Sequence, residues 1–406
     1  GQKLSQIPKR LPKDVTNLDL SGNKLFSFEK NTFVEFSNLT ELNLTDNEIT
    51  DVASLGEFPK SLKILYLKGN KLKTLNGNWS QFIKLDFSQN AIDVIGNESF
   101  KGVKDLKELK LDGNNLTAFP EIELSSLKIL DLSHNKISNI NDFSRYKYKE
   151  IPSFEILKLS NNQIKSLGIA AFSQLKVKHL YLDGNLLKTV DKNWMFGMMN
   201  LEYLHLENNK IMNISSSEWR YCCKKLKYLN LAQNNLKEMV FGKHKKNIYG
   251  GNFMDLLSLE TLNLASNKIL YISDDAFKHL KNLRTLDLSN NKIPLVKSST
   301  FGKLQKLEKL DMRSNPIGGV TRDSFSTLEK LSDLKMSSKE LYCDCTQQWF
   351  SKWLKDKGFS DSVGLRCKKP NKLLGIDFTK IPITDLVCDS SRPQIITHPQ
   401  SQTAIT

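Results

Sequence analysis

Four cysteines stand together near the C-terminal end: Cys343, Cys345, Cys367 and Cys388, in the spacing C-x-C-x21-C-x20-C. Thiols so grouped can bind zinc or form disulfides. No histidine lies between Cys343 and Cys388, and a lone C-x-C with wide gaps is poor spacing for a tetrahedral zinc site. Two disulfides in an oxidising compartment are therefore expected, with three connectivities open for four cysteines. The remaining pair, Cys222-Cys223, follows Trp219-Arg220-Tyr221. A bridge between adjacent residues is disfavoured by the geometry disulfides need. These two are expected as buried free thiols, or else as partners of a cysteine elsewhere.

Other chemistry is sparse. His179 and His205 fall on neighbouring strands of the pattern described below, with Glu207 as a conceivable third ligand. They are read as ordinary exposed histidines, and no metal or cofactor is expected. No nucleophile stands at a recognisable spacing from a base, and there is no glycine-rich phosphate loop. The chain is not expected to be an enzyme. A basic knot, Lys243-His244-Lys245-Lys246, with Lys224, Lys225 and Lys227 before it, could hold a polyanion such as heparan sulfate. Its blander reading is a solvated loop. Six N-x-S/T sequons, at Asn38, Asn43, Asn78, Asn97, Asn115 and Asn213, are candidate glycosylation sites.

One internal period must position all of these groups. Val15-Thr16-Asn17-Leu18-Asp19-Leu20-Ser21-Gly22-Asn23-Lys24-Leu25 fits L-x-x-L-x-L-x-x-N-x-L. Thirteen repeats place their Asn at 23, 47, 70, 90, 114, 135, 162, 185, 209, 234, 267, 291 and 315. A fourteenth, Leu331 to Leu341, has Lys339 where Asn is expected. This is the leucine-rich-repeat pattern. Each L-x-L predicts a short strand with Leu pointing in and x pointing out. No single repeat can bury its apolar side, so stacked repeats share one core. The fold expected is an α/β leucine-rich-repeat solenoid: a curved horseshoe of about fourteen repeats with a parallel concave sheet and a disulfide-stapled C-terminal cap. The inward Asn is expected to satisfy backbone groups of the turns. Long spacings before Asn162 and Asn267 carry insertions, 145–152 and 241–251, expected as loops on one side.

The outward positions form two columns. Aromatic and histidine residues concentrate in repeats seven to ten. Ile156, His179, Tyr181, Tyr203, His205 and Tyr228 are expected as one contiguous outward patch and as the partner-binding site. The alternative is that these rings stack sideways and only stabilise the sheet.

Cys343-Asp344-Cys345, Trp349, Trp353-Leu354, Cys367, Pro370, Leu374-Gly375 and Cys388 resemble the cysteine-rich C-terminal flank of extracellular leucine-rich-repeat proteins. That resemblance implies the pairs Cys343–Cys367 and Cys345–Cys388. The opening Leu4-Ser5-Gln6-Ile7-Pro8 resembles the last strand of the matching N-terminal flank, without its cysteines. After the cap, Arg392-Pro393-Gln394-Ile395-Ile396-Thr397-His398-Pro399 looks like the first strand of an immunoglobulin-like domain. Repeats, cap and this segment together resemble the LRIG family (leucine-rich repeats and immunoglobulin-like domains). The resemblance implies four parts: the end of an N-terminal cap (1–14), repeats (15–341), the cap (342–389) and the start of a truncated immunoglobulin-like domain (390–406). It implies the extracellular part of a single-pass plasma-membrane protein that binds cell-surface receptor ectodomains. Such proteins restrain receptor tyrosine kinases of the epidermal-growth-factor-receptor class and act on bone-morphogenetic-protein (BMP) receptor signalling.

Composition agrees with an elongated binder. The 406 residues carry 59 Lys plus Arg against 44 Asp plus Glu, a net charge of +15. Such a surplus invites a nucleic-acid reading, but a secreted, disulfide-capped solenoid argues against nucleic acid. The central outward column is mixed, so the surplus is expected on flanks and convex turns. No run of about 18 apolar residues is present, so no transmembrane helix is expected. The first residue is Gly1 and no apolar signal segment follows, so the chain is read as a piece of a longer one.

Overall fold

Each Leu-x-Leu unit extends because its alternation buries two leucines and turns the residue between them outward. A computed structural model describes residues 3–120, 125–140, 154–173, 175–190, 192–214, 218–239 and 253–388. Within them the repeat strands form one sheet of fifteen parallel strands. It begins at Asn17–Asp19, and each of its first thirteen strands comes from one repeat. The register matches the repeat pattern, as in Asn17↔Glu41, Leu18↔Leu42 and Asp19↔Asn43. The insertions, the basic knot Lys243–Lys246 and the segment 390–406 lie outside the described residues.

The central leucines, Leu42, Leu65, Leu130, Leu180 and Leu229 among them, are fully buried. Burying a leucine contributes roughly 1.5–3 kcal/mol. No repeat could supply a core alone, and stacking makes one continuous cluster from Leu18 to Leu386.

The repeat Asn binds neighbouring turns together. Asn209 Nδ2 donates to Leu182 O at 2.9 Å and to Leu206 O at 3.1 Å, and its Oδ1 accepts from Leu187 N at 3.0 Å. The same pattern recurs at Asn47, Asn135 and Asn291. The residue just before each repeat Asn takes a left-handed backbone. Gly22, Gly69, Gly113 and Gly184 do so freely, and Asp46, Gln89, His134 and Ser266 do so at φ between 53° and 55°.

Two features were not read from the sequence. Among the described residues, five further pairs of two-residue parallel strands form, such as Leu295–Val296 with Gly319–Val320. A spine of phenylalanines also runs through the last repeats: Phe253, Phe277, Phe301 and Phe325 follow at centroid spacings of 6.1, 6.3 and 6.3 Å. Phe350 continues it at 5.9 Å, joining the solenoid to the cap.

The fourteenth repeat does not end where its pattern does. Its strand runs ten residues, Asp333–Tyr342, and pairs with Val363–Lys369 beyond it. Between them lies the helix Gln348–Lys357, which stops at Gly358 in the left-handed region at φ 73°. Cys343 is bonded to Cys367 and Cys345 to Cys388, with Cα–Cα distances of 5.6 and 4.8 Å.

The expectation of free thiols at Cys222 and Cys223 is corrected. The two are joined to each other, with Cα atoms 3.7 Å apart. They follow a 3-10 turn, Glu218–Tyr221, and Cys223 sits at φ 50°. Cys222, Cys223 and Trp219 are all completely buried.

Candidate functional site

Ile156–Lys158, His179–Tyr181, Tyr203–His205 and Tyr228–Asn230 are consecutive strands of the main sheet. Each presents its first and third residues outward and buries a leucine between them. Register places Ile156 beside His179, His179 beside Tyr203, and Tyr203 beside Tyr228. In the next column Lys158 lies beside Tyr181, and Tyr181 beside His205. All six sequence candidates are thus brought together on one face.

The rings do not lie flat to solvent. His179 stacks on Tyr203 with centroids 4.3 Å apart and planes 2° apart. Tyr181 stacks on His205 at 4.2 Å and 9°. Tyr228 closes the ladder against His205 at 4.9 Å and Tyr203 at 6.2 Å. Neighbouring rings cover each other's faces, so every member is half-buried and offers an edge. The patch is therefore a row of ring edges with polar tips, and it also stiffens the sheet.

Charged groups frame it. Lys158 Nζ lies 5.9 Å from the centroid of the Tyr181 ring and pairs with Asp131 at 3.3 Å. At the other end His205 Nδ1 is 3.4 Å from Glu207 Oε1. Glu207 Oε2 is buried and accepts no hydrogen bond among the described residues. A buried carboxylate oxygen without a donor is costly, and this cost is carried beside the rings. Burial pushes the His179 imidazole below its ordinary value, and His205 and Lys178 add to that push against Glu202 and Glu155. Burial, followed by the charge of Glu207, raises the Tyr228 phenol. His179 is thus biased toward its neutral form near pH 7.

His179 and His205 are diagonal rather than side by side, because Tyr203 and Tyr181 are their direct partners. Among the described residues no three His, Cys, Asp or Glu side chains gather as a metal site. Sequence reasoning named the rings but missed Lys158 and the frame it makes with Asp131. The column of outward residues carried that signal, since Asp131 and Lys158 are register partners.

The sequons differ in exposure. Asn38, Asn78, Asn97 and Asn213 are exposed. Asn43 is half-buried on the main sheet, where its Oδ1 accepts from Thr45 N at 3.0 Å, and Asn115 Nδ2 donates to Ala91 O at 3.4 Å.

Known proteins share this architecture. A family profile described as "Leucine rich repeat" matches residues 13–72, 83–137, 152–211 and 242–293, and a second with the same description matches 306–328. Human leucine-rich repeats and immunoglobulin-like domains protein 1 is 34% identical over 149 residues, covering 34% of this chain and 14% of that protein. Human lumican is 34% identical over 185 residues, covering 43% of this chain and 53% of lumican. The chain spans about half or less of the length of these relatives. A leucine-rich-repeat protein of Leptospira interrogans superposes over 90% of this chain and 93% of its own, with a TM-score of 0.62 and 26% identity. The Drosophila Toll–Spatzle complex contains a chain that superposes over 93% of this one and 60% of its own, with a TM-score of 0.61 and 20% identity, a likeness of fold.

Proposed function

Since the chain belongs to the leucine-rich-repeat family, we propose that it is the extracellular, protein-binding part of a cell-surface protein that modulates growth-factor receptor signalling. The ladder from Ile156 to Tyr228 is its docking face. The observation that carries this reading is the stacked row itself. Five mutually covered rings and an aliphatic neighbour give a rigid, half-buried surface with little side-chain freedom left to lose on binding. The paired cysteines support an oxidising, extracellular setting at the plasma membrane. No helix among the described residues is long and apolar enough to cross a membrane.

The partner class proposed is a receptor ectodomain, of the tyrosine-kinase or BMP receptor type. Its support is the LRIG-like motif Cys343-Asp344-Cys345 to Cys388 and the similarity to the human LRIG-type protein. Lumican is matched equally well, so the test must be open to matrix partners. Proximity labelling from the intact protein on living cells provides it, run with wild type and with Tyr181→Ala/Tyr203→Ala. Receptor ectodomains recovered with wild type and lost with the double variant are the expected result. Recovery of proteoglycans alone would sink the receptor reading, and equal recovery from the double variant would remove the ladder.

A second reading, binding of a polyanionic glycan such as heparan sulfate, is favoured by the surplus of lysine away from the ladder.

A further inference from the structure

The flank that leads into the strands carries two parallel rows of different character. The row immediately before the strands alternates in sign from Glu155 through Lys178, Glu202, Lys227, Glu260 and Arg284 to Glu308. Backbone bonds tie its members across repeats, as in Lys227 N to Glu202 O and Glu308 N to Arg284 O, both 2.8 Å. Its charges neutralise each other: Lys227 Nζ meets Glu202 at 2.9 Å and Arg284 Nη1 meets Glu308 at 2.5 Å. That row has little net field to offer.

Two residues earlier in each repeat runs a second row. It reads Lys176, Asn200, Lys225, Ser258, Asn282, Lys306 and Lys330, with no acid in it. The four lysines are exposed. Two are held by neutral partners, Lys225 Nζ donating to Asn200 Oδ1 at 3.0 Å and Lys306 Nζ to Asn282 Oδ1 at 2.7 Å. An amide oxygen positions an ammonium group without cancelling its charge. Ser258 Oγ donates to Lys224 O at 2.7 Å and Asn282 Nδ2 to Leu257 O at 2.7 Å, so the neutral members also bridge repeats. Lys224 and Lys281 stand exposed beside the row.

We propose that this second row is a binding ridge for a linear sulfated polysaccharide, lying along the solenoid flank. The inference rests on the glycan reading above and assigns it a surface. At the strand spacing of a sheet, Lys176 and Lys225 are about 10 Å apart and Lys225 and Lys306 about 14 Å apart along one line. A single line of fixed cations with amides and a hydroxyl between them matches a chain whose sulfates recur along its length among free hydroxyls. A nucleic-acid duplex or an anionic membrane presents a wider anionic surface than a row one side chain across. The ridge residues lie three positions before the first column of the ring ladder in each shared repeat, as Lys176 before His179 and Lys225 before Tyr228, so the two surfaces use different residues.

The test uses the intact protein and a heparin-derived octasaccharide, with titration calorimetry at physiological salt. Lys176→Glu/Lys225→Glu/Lys306→Glu should weaken binding by about tenfold or more, because like charge replaces each contact. A Lys→Gln triple at the same positions should give a smaller loss in the same direction, and thermal midpoints confirm folding. Lys243→Glu/Lys245→Glu/Lys246→Glu should bind as wild type. Loss only in this second variant would leave the glycan reading standing and overturn the ridge. No binding by wild type would overturn both. Equal binding of desulfated heparin, of duplex DNA or of phosphatidylserine vesicles would overturn the assignment to a sulfated polysaccharide.

Discussion

His179 and Tyr203, partners in register on adjacent strands, stack with their ring planes 2° apart. The contact links a group with a lowered pKa to the proposed docking face. A double-mutant cycle of His179→Ala and Tyr203→Ala, read by urea unfolding, should show a coupling of about 0.5–1.5 kcal/mol. A coupling near zero would mean that the rings are neighbours without mutual stabilisation.

Asn209 closes the turn beneath Glu207 through buried bonds to Leu182 O, Leu206 O and Leu187 N. Asn209→Ala leaves these groups unpaired and should cost about 3 kcal/mol. The same change at exposed Asn31, which is not in the left-handed region, should cost under about 0.5 kcal/mol. Comparable losses at the two sites would show that the inward amide is not a main source of stability.

Phe301 lies between Phe277 and Phe325 in the spine that ties the repeats to the cap. Phe301→Ala should destabilise by about 3–5 kcal/mol. Phe26, 57% exposed, is the control, and its replacement by alanine should stay within about 0.5 kcal/mol.

Ser266 holds φ 55° just before the repeat Asn267. Glycine adopts that conformation without a Cβ penalty, so Ser266→Gly should stabilise by about 0.5–1 kcal/mol. A lower unfolding midpoint would contradict the reading of this position as backbone strain.

Asp112 has its pKa raised by burial and then by the charges of Asp131 and Asp86. A raised folded-state pKa gives stability that is present below the unfolded value of 3.8 and lost as pH rises through the folded value. Asp112→Asn should therefore raise the thermal midpoint at pH 7, and the gain should shrink as the pH is brought down toward 3.8. A gain of the same size at both ends of that range would rule out ionisation as its cause.

The sequence by itself determined the period, the inward leucines, the inward asparagines and the membership of both outward columns. Alternation with period two decides which way each strand residue faces, and stacking of like repeats decides its neighbours. It therefore named all six ladder residues before any coordinates. Only the tertiary structure decided how those rings meet, because face-to-face stacking depends on rotamers set by contacts across three strands. The same holds for the buried, unbonded oxygen of Glu207, which is a matter of which donors come near. The bond between Cys222 and Cys223 needed a buried turn that no spacing rule contains. The +15 charge was legible as a number. Its division into a self-paired row and an unpaired one followed from side chains reaching across repeats, a relation that appears only once the coils are stacked.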